Sequence, residues 1–335
     1  MRLYPNVKLN LGLRVLGVRP DGYHELETLF VPCDAFYDRM EIVPSEVFSL
    51  KIVGPSYGNW PVEKDLVAKA WMLFRDEFGI DPVSVLLEKN SPVGAGLGGG
   101  SADAAFMIRA LNDIFSLELD DATLAALAAR LGSDCPFFIY NRPMFASGRG
   151  EVLEPFPLDL SAYRIEVKVP DGVSVSTAEA YAGLDAAAGR QSVSAPAAVQ
   201  SPLSACRQSV SAPAAVQSPL SASGCTQGRQ SVSAPATSIA PLSASGSTQG
   251  GQRSQTTSAL PQSPAMPQPA PMSLREALTL PIAQWRDCVF NDFERSVFPA
   301  HPEIAALKED FYARGAIYAA MSGSGSAVFG IFPAI

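Results

Sequence analysis

Hydrophobic and polar residues alternate along NVKLNLGLRV, residues 6–15, with Val7, Leu9, Leu11, Leu13 and Val15 on one side and Lys8, Asn10, Gly12 and Arg14 on the other. A period of two predicts a strand whose apolar side faces the core. Strand rise sets Lys8 and Asn10 side by side on the opposite face, about 7 Å apart. That face is either simply wet or a place where an ammonium and an amide act together. VSVLLEKN, residues 83–90, is β-branched and apolar, and predicts another strand, closed by Pro92. Met107, Ile108, Leu111, Ile114 and Phe115 then recur at helical spacing. Ser101 is the expected cap of that helix, with Asp103 in the first turn where the dipole favours an acid. Leu124, Leu127 and Leu131 mark a further amphipathic helix with Gly132 at its C-cap, and the FFI of RLGSDCPFFIY predicts the start of a buried strand. GAIYAAM (315–321) and AVFGIF (327–332) read as strands around a Ser/Gly loop, and residues 1–82 read as alternating strands.

One segment breaks every such pattern. Residues 186–272 contain no Asp, Glu or aromatic residue, and RQSVSAPA occurs there at 190–197, 207–214 and 229–236, each copy followed by a tail ending in PLSA. Such a composition buries too little apolar surface to offset its ordering entropy, and it lacks the hydrophobic face that stacked repeats need. A long disordered insert is expected. It carries four arginines and no acid, so the net charge of −8 splits into +4 here and −12 elsewhere. That balance argues against nucleic acid as the main partner.

The five cysteines are odd in number and scattered, without a CxxC, which predicts reduced thiols and no zinc site. Polar residues interrupt the first fifteen positions, so no signal peptide is read there. No apolar run approaches a membrane span, and a soluble cytoplasmic protein is expected.

SPVGAGLGGGSADAA, residues 91–105, places five glycines within 94–100, between the predicted strand and the predicted helix. Glycine is costly to order, so this crowding asks for bare backbone. A strand leading through such a loop to a helix N-terminus offers free N–H groups and the positive dipole end, a cradle for phosphate. Gly94 to Gly99 also fits GxGxxG with Glu118 about 20 residues on, but a dinucleotide fingerprint opens the first βαβ unit and this loop comes late. The Walker pattern fails, since no Lys-Ser or Lys-Thr follows. A purely structural turn is the remaining reading. Asp134 sits at an element junction beside a very apolar run, as an ordinary turn aspartate or as a chemical group. The loop in MSGSGSAVFGIF, 321–332, is either a glycine-rich hairpin or a second backbone lining for a polar ligand.

Taken together, residues 6–30, 91–105, LGSDCPFF (131–138), DGVSVSTAEAY (171–181), FNDFE (290–294) and MSGSGSAVFG (321–330) resemble the GHMP small-molecule kinases. The glycine segment alone reaches only the superfamily, whereas KLN…RPDGYHELETLF is similar to the branch with a cytidine substrate. The resemblance implies an α+β, two-domain GHMP fold: a ribosomal-S5-like α/β domain over 1–157 and a ferredoxin-like α+β domain over 158–335, interrupted by the insert. It implies Asp134 as catalytic base and Lys8 as its partner. Pro92, Val93, Gly94, Ala95, Gly96, Leu97, Gly98, Gly99, Gly100, Ser101 and Ala102 match the ATP phosphate loop, with Ser101 a candidate Mg2+ ligand. Tyr23 and Tyr181 match aromatic positions that sandwich cytosine, His24 the reader of its polar edge, and Asn10 and Thr177 other substrate contacts. Two aromatic faces and a hydrogen-bonding histidine suit a cytosine. His301, before Pro302 at a helix start, needs no role. The implied reaction is ATP-dependent phosphorylation of cytidine diphosphate methylerythritol in non-mevalonate isoprenoid synthesis. The alternatives are a homoserine or mevalonate type of kinase, or a non-catalytic scaffold built on the Ser/Pro repeats. The family has no such repeats, which fall soon after Tyr181.

Overall fold

The alternating opening forms strand β2 (Asn6–Val18), preceded by the short β1 (Arg2–Leu3), in a computed structural model that describes residues 1–187 and 272–334. β2 pairs antiparallel with β3 (His24–Tyr37), which pairs with β7 (Met144–Ser147), and β7 with β8 (Val152–Pro155). The register of β2 shifts between Leu11 and Leu13, where Gly12 has φ +68°. A Cβ there would lie 2.5 Å from a Leu274 methyl, so the bend needs glycine for both conformation and space.

β1 joins a second sheet of order β1-β4-β6-β5, made with β4 (Arg39–Pro44), β5 (Ser49–Val53) and β6 (Val83–Glu88). β5 and β6 run parallel, and the crossover between them carries helix α1 (Leu66–Phe78). α1 is capped by the Asp65 side chain and ends at Gly79 in the left-handed conformation. Periodicity had suggested only strands before residue 83. α1 packs on α2 (Gly99–Ile114) over a core that includes Met40, Ile42, Phe74, Leu87, Met107, Ile108 and Leu111. Ile114 and Phe115 are only half-buried against it.

The third sheet, β10-β11-β9, consists of β9 (Tyr163–Lys168), β10 (Tyr318–Met321) and β11 (Val328–Pro333), all antiparallel. The predicted pair around the Ser/Gly loop is therefore present. Around this sheet lie α5 (Thr177–Ala187), α6 (Leu274–Leu278), α7 (Glu294–Ala300) and α8 (Pro302–Ala313).

Three local expectations change. The FFI expected to start a strand lies instead inside helix α4 (Cys135–Tyr140), following α3 (Asp121–Ala129). A short apolar run does not separate strand from buried helix, and Pro136 fits the first helical turn, where its missing N–H is not needed. α3 ends at Ala129, capped at Arg130, ahead of the expected Gly132. α2 begins at Gly99 with Gly98 as its cap, so Ser101 is the third helical residue and makes no cap. Nearly all of the repeat segment 186–272 lies outside the described residues. No helix among the described residues is long and apolar enough to cross a membrane.

Candidate active site

β2 is buried on both faces from Asn6 to Leu13, which removes the wet-face reading of Lys8 and Asn10. The Lys8 ammonium lies 2.6 Å from Asn10 Oδ1 and donates to it. It also lies 3.4 Å from Asp134 Oδ2 and 4.7 Å from the centre of the Phe30 ring. The Lys8 side chain is 5% exposed and that of Asp134 31%, so the pair has one buried end and one end open to a ligand. Asn10 is fixed in turn: its amide donates to the Thr28 hydroxyl at 3.0 Å, and Thr28 donates to the Gly12 carbonyl at 2.6 Å. Asp134 stands at the cap position of α4, whose helical start aims it toward β2.

The glycine loop connects β6 to α2. Gly94, Gly96 and Gly98 have φ of +72°, +76° and +72°, a region that side chains rarely adopt. The loop is held from two sides. The Lys8 amide donates to the Leu97 carbonyl at 2.9 Å, and the Ala327 amide to the Ala95 carbonyl at 3.1 Å. The Ser322 hydroxyl donates to the Gly96 carbonyl at 3.3 Å. A Cβ on Gly96 would meet the Ser322 carbonyl oxygen at 2.3 Å. The Ser/Gly segment 322–326 thus packs directly on the glycine loop and is no free hairpin. Asn291, which sequence reasoning quoted without a role, ties this segment down by donating to the Met321 and Gly323 carbonyls at 2.8 Å each. Its signal, a buried asparagine between aromatics in FNDFE, becomes readable only once the partner loop is known.

Two adjoining clefts result. One is lined by Pro92 to Ser101 together with Trp60, Asp65, Leu66, Lys89 and Asp103. The other gathers Lys8, Asn10, Asp134, Thr177, Tyr181, Arg149 and Ser324, and shares Gly96, Gly98 and Ser101 with the first. Bare loop amides and the N-terminus of a sixteen-residue helix therefore border the Lys8–Asp134 pair. Among the described residues no group of three or more His, Cys, Asp or Glu forms a metal cage. Ser101, at the junction of the clefts, offers a hydroxyl there.

The aromatic expectations meet a different arrangement. His24 stacks on Tyr181, ring centres 4.2 Å apart and 17° from parallel, while Phe293 meets Tyr181 edge-on at 4.8 Å. Tyr23 is exposed, with the Arg149 guanidinium 4.9 Å from its ring centre. Burial, aided by the Asp134 charge, pushes the Tyr181 phenol up to about 12, so it acts as a neutral surface. Thr177 and Ser324 hydroxyls lie 3.3 Å apart at the cleft wall. Arg149, between Gly148 and Gly150, and Trp60 line the clefts without having been singled out from the sequence.

The same two-part pattern appears in known proteins. The GHMP kinases N terminal domain matches residues 65–142, and the GHMP kinases C terminal domain matches residues 271–334. A 4-diphosphocytidyl-2-C-methyl-D-erythritol kinase of Bacteroides fragilis (strain YCH46) is 37% identical over 99% of this chain and 92% of its own. One from Parabacteroides distasonis is 37% identical with the same coverage, and one from Oleidesulfovibrio alaskensis is 38% identical over 97% of this chain and 88% of its own. Among solved structures, a 4-(cytidine 5'-diphospho)-2C-methyl-D-erythritol kinase superposes with a TM-score of 0.61 at 27% identity, covering 99% of this chain and 90% of that one. A Leishmania major mevalonate kinase shares the fold, with a TM-score of 0.57 at 14% identity. Likeness of this extent, spread over both sequence blocks, makes the chain a small-molecule kinase of the GHMP family, among the 4-diphosphocytidyl-2-C-methyl-D-erythritol kinases.

Proposed function

We propose that the chain transfers the γ-phosphoryl group of ATP to the 2-hydroxyl of 4-diphosphocytidyl-2-C-methyl-D-erythritol, with Lys8 and Asp134 as the catalytic pair. The observation that carries this reading is the 3.4 Å approach of the Lys8 ammonium to Asp134 beside the bare amides of the glycine loop. Asp134 takes the proton of the substrate hydroxyl as that oxygen bonds to the γ-phosphorus and the bond to the bridging oxygen of ADP breaks. Lys8 holds Asp134 in place and balances charge developing on the transferred group. Loose phosphoryl-transfer transition states ask for positioning and charge neutralisation more than covalent help. Residues 92–102 take the ATP phosphates, Thr177 and Asn10 contact the substrate, and Ser101 would hold Mg2+. Magnesium binds through few protein ligands together with nucleotide phosphates, so a single hydroxyl suits it where the described residues form no acidic cage. When bound, the ion neutralises phosphate charge.

The aromatic corner supports the substrate class. A cytosine that stacks on Tyr181 must displace the His24 ring, which then lies at the base edge with Tyr23 on the other side. A homoserine or mevalonate acceptor has no use for this arrangement. Mass spectrometry of the product from ATP and the diphosphocytidyl alcohol tests the assignment, with a gain of one phosphoryl group expected. Asp134→Asn should lower turnover by about 10²–10⁴-fold, the range of a lost general base. No mass gain, or an unimpaired Asp134→Asn enzyme, would remove the reading.

A further inference from the structure

At the base of the glycine loop, where Lys89 and Asp103 border the first cleft, lies a buried charge cluster. The Lys89 ammonium, just past β6, donates to Asp38 Oδ2 at 2.5 Å, to Asp103 Oδ2 at 2.7 Å and to the Ser91 hydroxyl at 3.2 Å. None of the three charged side chains is more than 3% exposed. Asp38 also accepts the Asn90 and Ser91 amides at 2.6 and 2.8 Å and the Ser91 hydroxyl at 2.6 Å. A Cβ on Gly99 would lie 2.4 Å from the Ser91 hydroxyl oxygen, so the start of α2 rests against the cluster. Ser91 is the last residue before the loop and Asp103 lies in the α2 turns that follow it. Both ends of the loop are therefore tied to one ammonium.

Charge accounting sharpens the point. Two carboxylates share one ammonium in this buried site. Asp103 meets the Lys89 ammonium through Oδ2. Its Oδ1 is buried with no hydrogen-bond partner among the described residues. Burial works against the Lys89 ammonium, but the two acids outweigh it and raise its pKa.

We propose that the Asp38–Lys89–Asp103 clamp positions the phosphate loop for the nucleotide, with Asp103 and Lys89 acting through the loop backbone. The proposal rests on the reading of residues 92–102 as the ATP phosphate loop. The decisive variant is Asp103→Leu, which removes the tie to α2 while leaving Lys89 and Asp38 as a balanced pair. Electrostatics alone predicts tighter ATP binding in this variant, because a potential negative charge behind a polyanion site is gone. The clamp predicts the opposite sign.

Calorimetric titration with ATP, without the alcohol, should show the Kd of Asp103→Leu raised by about 5–10-fold, with Asp103→Asn, which keeps an acceptor for Lys89, recovering most of the affinity. In turnover, the KM for ATP should rise in parallel while the KM for the alcohol stays within about twofold. Equal or tighter ATP binding by Asp103→Leu overturns the clamp, as does an equal rise in both KM values. If Asp103→Leu does not fold, Ser91→Ala decides: a Kd for ATP raised by about 2–3-fold supports the clamp, and an unchanged one overturns it. Failure of the wild-type chain to bind ATP would instead remove the phosphate-loop reading.

Discussion

Gly96→Ala separates backbone necessity from ligand necessity in the phosphate loop. Gly96 has φ +76°, and a Cβ there would lie 2.3 Å from the Ser322 carbonyl oxygen and 3.1 Å from that of Gly325. The left-handed conformation costs a residue with a side chain about 1–2 kcal/mol. Forcing a methyl into a filled contact costs roughly 1–3 kcal/mol more, because the obstacle is backbone and no flexible side-chain end gives way. Together these predict about 2–5 kcal/mol of lost stability, or a fall of at least about 4 °C in Tm at roughly 2–4 °C per kcal/mol for a fold of this size. The control is Gly100→Ala. Nothing lies within 4 Å of its added Cβ, and the position is inside α2. There alanine should stabilise the helix by up to about 1 kcal/mol. Thermal denaturation of both variants reads the stability term, and KM for ATP reads the displacement of the two loops. A Gly96→Ala protein with wild-type Tm and wild-type KM for ATP would refute the claim that the Ser/Gly segment and the glycine loop are locked together.

Two further outcomes are expected. Tyr181→Ala should raise the KM for the cytidine substrate by about 5–150-fold, the equivalent of the 1–3 kcal/mol of a lost base stack, with Tyr181→Phe close to wild type and KM for ATP little changed; equal effects on both substrates would contradict a base platform. Cys135 is buried next to Asp134, and desolvation pushes its thiol up to about 12, so its thiolate fraction at pH 8 is on the order of 10⁻⁴. Iodoacetamide followed by peptide mapping should therefore label the half-buried Cys288 long before Cys135 or the buried Cys33, whose thiol burial also raises. Labelling of Cys135 at the Cys288 rate would show that the α4 start opens readily.

Much of this molecule was already written in local sequence. The alternation of residues 6–15, the run at 83–90, which forms a strand over Val83–Glu88, and the helical spacing after Ser101 each depend on near neighbours, and each became the expected kind of element. The crowded glycines announced a loop needing bare backbone, because glycine alone takes three left-handed positions in five without steric cost. Local signals failed where short apolar runs fit two periods, as at Cys135–Tyr140, and where α1 hid between strands.

What tertiary structure alone decided is which groups meet. No periodicity says that Lys8 finds Asp134, that Gly96 rests on Ser322, that Lys89 bridges Asp38 and Asp103, or that His24 lies flat on Tyr181. These contacts join positions far apart along the chain, and their strength comes from burial. Removed from water, an ammonium must find its carboxylate and a carbonyl its donor, and only the completed packing of three sheets determines which partners are in reach.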